Sequence, residues 1–406
     1  MSASTTSHII PRTLDPESLA ARSWSTDARK VLTIFGTRPE IIKLAPVIKE
    51  LEQHKDFFKT VNVRPRQHAD MVGPFTRLFG IRVDHDLRVM RPGQSVSTVC
   101  ARILSRLDPV LDHEKPDFVI VQGDTMSAFA GALSAFYHRI PVAHVEAGLR
   151  SWTDSSPFPE EMNRNLITRL AAYHFAATLR NRDVLLGEGV APERIFVTGN
   201  PVVDALKGIV GRGAFSDRLK EVLQATAGSR RIVLTTHRRE SLGRVMMQNL
   251  KIIRNFLERH EDLTLIFPVH PNPQVARAAN QVLAGHSRIQ LTPPFDYAEF
   301  IQLLSQSWLI VSDSGGIQEE APSLGKPLLI IRDNTERPEV IDAGVARLVG
   351  GSPQVLTAML EEAYQPGSWV DQIRSVENPF GRGDAGKQIV GILARLVTLQ
   401  RLGNSH

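Results

Sequence analysis

The sequence predicts an α/β protein of two doubly wound, Rossmann-like halves facing each other across a cleft. Three observations carry this. Short continuous apolar runs recur along the chain, each ending in a glycine-rich or polar turn before a helical stretch, as strands of a buried parallel sheet do. The layout restarts at Arg231, after a polar helical stretch over 207–230 that reads as a hinge. The length, 406 residues, suffices for two hydrophobic cores. The predicted division is a polar tail over 1–28, expected to be disordered, a first half over 29–204 and a second over 205–377. A last helix within 378–406 is expected to pack back on the first half.

The first predicted strand, 30–35 (KVLTIF), ends in GTRPE at 36–40. A helix follows with apolar residues at Ile41, Leu44, Ala45, Val47, Ile48 and Leu51. Arg38 and Lys43 flank the helix start, where backbone N–H groups and cations together suit a phosphate. A weaker strand at 59–63 leads to the polar loop RPRQH. Pro92-Gly93-Gln94 marks a turn before a long helix. The run 117–121 (DFVIV) has the length and continuity of a central strand and ends in Gln122-Gly123-Asp124-Thr125. After an alanine-rich helix over 127–137, the next strand, 141–145, ends in Glu146-Ala147-Gly148. Two successive strand–turn–helix units thus put Asp124 and Glu146 on one edge of one sheet. A proline-stiffened loop, SPFP, then opens a helix with Glu160, Glu161 and Arg164. A last strand of this half is expected at 195–198, before Gly199-Asn200-Pro201.

In the second half, strand 231–235 ends in Thr236-His237-Arg238, strand 263–268 in Val269-His270-Pro271, and a third strand covers 289–291 before a helix over 298–305. The apolar run 308–311 breaks at Ser312-Asp313-Ser314-Gly315-Gly316, then a short helix stops at Gly325-Lys326-Pro327 before the apolar run 328–331. Ligands of such folds bind at the carboxyl ends of the strands, where this turn lies. Gly315 and Gly316 admit close backbone approach, and a carboxylate such as Glu320 can accept from ribose hydroxyls. Pro322 predicts a short or kinked helix. The G-x-G-x-x-G at 381–386 follows Asn378-Pro379-Phe380 rather than a strand, so it reads as a loop leading into the last helix, 387–402, not as a dinucleotide site.

Composition narrows the function. Hydrophobic content of 42% with 22% charged residues is that of a soluble globular protein. The net charge of +5 comes without a Lys/Arg block and with 6% aromatics, which argues against nucleic acid and suits an anionic small substrate. A single cysteine, Cys100, excludes a disulfide framework or cysteine-rich metal site. No apolar run has the length of a membrane span, and residues 1–27 lack the apolar core of a secretory signal, so a cytoplasmic location is expected. H-E-x-x-H and Walker motifs are absent, and neither metal nor cofactor is expected.

Together the halves offer a nucleotide platform of Ser314, Gly315, Glu320, His237, Arg238 and Arg337, facing Asp124, Glu146, Glu160, Arg38 and Lys43. A nucleoside diphosphate held by cations and helix starts, its sugar pointing at carboxylates, is the economical picture. Acids and a histidine in a closed cleft can perform acid–base work on a sugar. On the residues alone, glycosyl transfer and sugar epimerisation stay equally open.

Several long motifs occur in fixed order: GTRPE at 36–40, GDT at 123–125, HVEAGLR at 144–150, SPFPEEMNR at 156–164, TTHRRE at 235–240, VHPNP at 269–273, DSGGIQEEAPSLGKP at 313–327 and ERPE at 336–339. With these the chain, from Lys30 to about Val397, resembles the non-hydrolysing UDP-N-acetylglucosamine 2-epimerases, whose two-domain architecture is glycosyltransferase-B-like. The resemblance implies interconversion of UDP-GlcNAc and UDP-ManNAc through elimination of UDP to 2-acetamidoglucal and re-addition, supplying ManNAc-type sugars for cell-surface polysaccharide. It assigns the proton transfers at C2 to Asp124, Glu146 and Glu160, and stabilisation of the leaving phosphate to His237. It puts Arg38, Lys43, Arg164, Arg238, His270, Phe300, Ser314, Gly315, Glu320 and Arg337 at substrate-contacting positions. It also implies a homodimer.

Members of that family can carry a second, regulatory UDP-GlcNAc site, which by resemblance would use Gln67, His68 and Gln94. Here the loop 64–70 (RPRQHAD) departs from the family form TGQHRE or TAQHRE at Arg66, Ala69 and Asp70. Asn334 stands where the family has threonine. The rival readings are a hydrolysing epimerase, which would release UDP and free ManNAc, and a glycosyltransferase, which would need an acceptor site.

Overall fold

The computed structural model describes residues 28–66, 72–152, 157–210, 215–238, 242–373 and 376–403. Residues 1–27 of the expected tail lie outside these, as do Gln67 and His68. The first half contains seven strands: β1 (Arg29–Ile34), β2 (Phe58–Arg64), β3 (His85–Asp86), β4 (Phe118–Gln122), β5 (Val142–Ala147), β6 (Tyr173–Ala176) and β7 (Ile195–Val197). They form one sheet in the order β3-β2-β1-β4-β5-β6-β7. The second half supplies β8 (Arg230–Thr235), β9 (Leu263–Pro268), β10 (Ile289–Thr292), β11 (Leu309–Ser312), β12 (Leu328–Ile330) and β13 (Ala346–Leu348), in the order β10-β9-β8-β11-β12-β13. Every strand pair in both sheets is parallel. The chain is therefore two doubly wound α/β sheets.

The winding direction reverses between β1 and β4 in the first sheet and between β8 and β11 in the second. Such switch points open a crevice outside the strand ends. The turns there are Gly36–Arg38 after β1, Gly123–Thr125 after β4, Thr236–Arg238 after β8 and Asp313–Gly315 after β11. This topology sends the polar turns singled out in the sequence to two crevices.

The central strands bury both faces, which is why their sequences run apolar without alternation. All five residues of β4 and all six of β9 are buried. Each fully buried Val, Leu, Ile or Phe contributes about 1.5–3 kcal/mol. The helix Arg38–Gln53 lays Ile41, Leu44, Ala45, Ile48 and Leu51 on the sheet, and its start carries a capping box between Thr37 and Glu40.

Three short strands, β3, β6 and β13, have no counterpart in the sequence prediction, since two to four residues are too few for a periodic signal. The segment expected to run helical over 207–230 takes only the end of one helix, Pro201–Ile209, and the whole of a second, Asp217–Ala225, capped by Ser216, which accepts from Leu219 N at 3.3 Å. Pro322 sits in the last turn of the helix Gly315–Ser323, which ends one residue later. Gly381 and Gly383 adopt positive φ (105° and 76°) in a loop ahead of the helix Ala385–Gly403. The start of that helix is held by Asp204, which accepts from Ala385 N and Gly386 N at 3.2 and 2.9 Å. A side chain at Gly386 would meet the backbone of Pro46 at 3.1 Å, so the helix lies close on Arg38–Gln53.

Candidate active site

At the first switch point Glu40 is fully buried and accepts from Gly36 N (2.9 Å), Thr37 N (2.7 Å) and Thr125 Oγ1 (2.7 Å). It thereby clamps the turn after β1 to the turn carrying Asp124. Burial pushes its carboxyl up to about 7. Asp124 Oδ2 accepts from Arg164 Nε (2.8 Å) and Nη2 (2.7 Å), while Asn163 Nδ2 holds the Asp124 carbonyl at 2.8 Å.

Glu146 does not follow β5 as expected but lies within it, one residue before its end. The register with β6 slips between Val145 and Ala147, and Glu146 has φ 64°. A non-glycine residue in that left-handed region is uncommon, and the bulge re-aims its side chain. The carboxylate turns toward Gln122 Nε2, which donates to it, and toward Lys43 Nζ at 2.5 Å. Gly123 lies alongside: a Cβ there would sit 3.6 Å from Glu146 Oε2.

Glu160 and Glu161 open the helix Glu160–Leu170 and differ in surroundings. Glu161 is buried, pairs with Arg164 Nη1 at 2.6 Å and accepts from Ser151 N. Glu160 is half-exposed, and burial together with the charge of Asp124 holds its carboxyl above the ordinary range, against Arg164 and Arg238.

Across the cleft, Asp313 is fully buried beyond β11 and accepts from Thr236 Oγ1 (2.8 Å), His237 N (2.9 Å) and Arg238 N (3.0 Å). It fixes the loop after β8, and its other oxygen lies 3.5 Å from His237 Nδ1. His237 stacks on His270, ring centroids 5.1 Å apart and planes 15° off parallel. Burial and the neighbouring His237 and Arg38 lower the His270 pKa. Ser314 is the N-cap of Gly315–Ser323. A Cβ at Gly315 would lie 3.0 Å from Arg337 Nη1 and 3.6 Å from Arg238 Nη2. Two guanidiniums thus converge on a helix start, a site for a multiply charged anion.

Glu320, one turn further, accepts from Tyr297 Oη at 2.8 Å, and burial pushes its carboxyl up to about 7. Arg38, exposed at the start of its helix, lies near enough for its charge to act on both Glu320 and His270. Phe300 is half-buried against a core cluster drawn from both halves. Gln94 lies outside this cluster: its Oε1 accepts from Arg102 Nη1 at 2.6 Å. Arg66, one of the departures in the expected regulatory loop, pairs with Asp86 at 3.0 Å.

The two crevices are joined by Glu319, a residue the sequence reading leaves without a role. Its carboxylate lies 2.7 Å from Lys43 Nζ of the first half and 2.5 Å from Arg337 Nε. Arg337 Nη2 in turn lies 3.9 Å from Glu146. Consecutive acids on a helix point about 100° apart, so only the packed helix decides which of Glu319 and Glu320 reaches across. Burial drives Glu146 upward, against Lys43, and Glu319 adds to the rise. Burial also opposes the charge on Glu319, but Arg337 and Lys43 outweigh it and hold Glu319 low. Among the described residues, no group of three or more His, Cys, Asp or Glu side chains is arranged to hold a metal ion.

The chain as a whole has close counterparts among known proteins. Residues 49–394 match the profile of the family described as UDP-N-acetylglucosamine 2-epimerase. The chain is 43% identical over 369 residues to the UDP-N-acetylglucosamine 2-epimerase of Escherichia coli K12, covering 90% of this chain and 98% of that protein. The crystal structure of UDP-GlcNAc 2-epimerase from Neisseria meningitidis bound to UDP-GlcNAc superposes with a TM-score of 0.83 at 41% identity, over 90% of this chain and all of that one. A glycosyltransferase of kitacinnamycin, at 14% identity and TM-score 0.60, shares the fold alone, which is glycosyltransferase-B-like. On the extent of the profile match and of the identity, the chain belongs to the UDP-N-acetylglucosamine 2-epimerase family.

Proposed function

We propose that the protein interconverts UDP-GlcNAc and UDP-ManNAc without hydrolysis. The observation that carries this is the pairing, at facing switch points, of an acidic cluster (Asp124, Glu146) with a cationic helix start (Gly315, Arg238, Arg337). The diphosphate sits at that helix start with His237 beside it, Glu320 accepts from the ribose, and the sugar reaches Asp124, Glu146 and Glu160. Lys43, Arg164, Arg38, His270 and Phe300 complete the contacts.

In the forward direction a carboxylate takes the C2 proton, the C–H electron pair becomes the C1=C2 bond of 2-acetamidoglucal, and the C1–O electrons leave with UDP. In the return step the phosphate oxygen of UDP attacks C1 while the alkene electrons take a proton at the opposite face of C2. The C2 hydrogen has no adjacent carbonyl, so its removal needs the departing UDP. Two faces require more than one acid–base group, and Asp124, Glu146 and Glu160 supply three carboxyl groups, with burial raising those of Glu146 and Glu160. The product would serve transfer of ManNAc-type sugars into cell-surface polysaccharide.

The test is conversion of UDP-GlcNAc in D2O followed by NMR. Deuterium at C2 of UDP-ManNAc is expected, while retention of the original hydrogen overturns the route. Free ManNAc would instead identify a hydrolysing enzyme.

We further propose a homodimer, supported by exposed Phe136, Tyr137, Met162 and Leu166 on the neighbouring helices Met126–Tyr137 and Glu160–Leu170. A monomer mass by light scattering would refute it. Among the described residues no helix is long and apolar enough to cross a membrane, and a cytoplasmic location, where nucleotide sugars are made, fits the proposed substrate. Activation by UDP-GlcNAc through Gln67, His68 and Gln94 predicts slow conversion of UDP-ManNAc alone and acceleration by traces of UDP-GlcNAc. Full speed without that trace refutes it.

A further inference from the structure

We propose that Glu319 is a positioning residue for Glu146: by clasping Lys43 of the first half and Arg337 of its own, it brings Glu146 into working geometry only when the two halves close. The inference rests on the proposed epimerase reading for its kinetic consequences. Its structural basis is independent of that reading.

The four groups come from four separate stretches of chain. Lys43 is on the helix after β1, Glu146 on the bulge of β5, Glu319 on the helix after β11, and Arg337 in the loop after β12. Side-chain exposures of 7%, 8%, 2% and 12% leave none of them in bulk solvent. Lys43 Nζ stands between the two carboxylates, 2.5 Å from Glu146 and 2.7 Å from Glu319. Arg337 closes the circuit at 2.5 Å to Glu319 and 3.9 Å to Glu146. Without Glu319, Arg337 would keep Glu336 at 3.3 Å and Glu146 at 3.9 Å, but Lys43 would face Glu146 alone, with no carboxylate across the cleft to meet it among the described residues.

Isolated buried charges are costly, and a closed circuit of two anions and two cations is how such charges are tolerated. Opening the cleft breaks the Lys43–Glu319 contact and returns these groups to water, so the circuit exists only in the closed form. A second ion pair across the halves among the described residues, Arg180–Asp342 at 2.8 Å, has side chains 51% and 61% exposed and is screened.

The circuit also decides which carboxylate keeps its charge. Glu146 faces Lys43 from its helix, Gln122 from β4, Asn200 from the loop before Pro201–Ile209, and Glu319 and Arg337 from the second half. Lys43 is shared by the two carboxylates and is slightly nearer Glu146, whereas Arg337 lies far closer to Glu319, and the two cations together keep Glu319 ionised. Its negative charge then keeps Glu146 easier to protonate, as a group that must both take and return a proton requires.

Glu319→Gln removes the charge and keeps the shape. The expected result is a fall in kcat of about 10²-fold, as misplacement of a reacting group produces. UDP affinity by calorimetry should stay within about threefold. The acid limb of kcat/KM against pH should move down by about one unit or more, because Glu146 loses a like-charged neighbour while Lys43 and Arg337 remain. Glu319→Asp, which keeps the charge, should restore the limb and much of the rate. Small-angle scattering without ligand should show the Gln variant more open than the parent.

A Gln variant that turns over at the parent rate overturns the proposal. So does one that slows and melts earlier with its acid limb unmoved, which would make Glu319 a structural brace only. If the parent itself fails to epimerise UDP-GlcNAc, the functional reading falls, and scattering still decides whether Glu319 holds the halves together.

Discussion

Two neighbouring strands hide a pair of histidines whose protonation should set the acid limit of this enzyme. His144 on β5 and His174 on β6 are register partners in the parallel ladder, and both are buried. His144 Nε2 donates to Gly123 O at 2.8 Å, while its Nδ1 and both ring nitrogens of His174 have no hydrogen-bond partner among the described residues. Burial lowers the His144 pKa to about 4 and the His174 pKa to about 3. In the unfolded chain both titrate near 6.5. The sign follows: the unfolded state binds protons first, so stability is whole above about pH 6.5 and is lost as the pH falls toward the folded values. At pH 5 each histidine costs about 2 kcal/mol, about 4 kcal/mol together, against a stability of about 5–15 kcal/mol for a typical protein.

Buried Glu40 and Glu320, with carboxyls raised to about 7, act in the opposite direction, gaining protons in the folded state as the pH falls. The parent's net pH dependence therefore does not isolate the histidines, whereas a difference between parent and variant does. In His174→Leu, which removes one titrating group, the change in unfolding free energy between pH 8 and pH 5 should be about 2 kcal/mol more favourable than in the parent. Repacking costs cancel because each protein is compared with itself. Urea unfolding followed by circular dichroism at the two pH values reads this. Parallel pH dependence in parent and variant would show that His174 titrates like an exposed histidine, and would refute the reasoning.

Other outcomes follow from single contacts. Glu320→Gln should weaken UDP binding by about 1.5–3 kcal/mol in calorimetry, the range for hydrogen bonds to a charged group, and unchanged affinity would leave Glu320 as a helix-dipole acid paired to Tyr297. Asp313→Ala leaves three donors of the His237 loop without their acceptor, so loss of about 3 kcal/mol or more in stability, with loss of turnover, is expected from thermal melts and rate assays. Asp124→Asn should lower kcat by about 10²-fold or more while UDP affinity changes little, since the proposed reading gives Asp124 to the sugar and the second half to the nucleotide. Equal losses in both would place it in binding.

What the chain disclosed in advance follows from how a parallel sheet is built. A buried strand must be apolar throughout and must end at a turn, so its carboxyl end is visible in the sequence, and the residues of that turn belong to the binding edge. That suffices to place Gly36–Arg38, Asp124, His237, Ser314 and Gly315 just beyond strand carboxyl ends. Glu146 fell on the correct edge, but its bulge could not be seen, because a register slip depends on the neighbouring strand β6, itself four residues long. Glu319 was hidden for a different reason. Beside Glu320 it reads as one more acid at a helix start, and its partner Lys43 belongs to the other half of the chain. Local pattern reports where a side chain leaves the backbone, whereas a buried charge circuit is a property of where four side chains meet. Lys43 and Glu146 are 103 positions apart, and each alone would be a costly buried ion. Their joint presence at under 10% exposure makes sense only once the second half supplies Glu319 and Arg337, so the meeting of the two halves is written in charge rather than in motif.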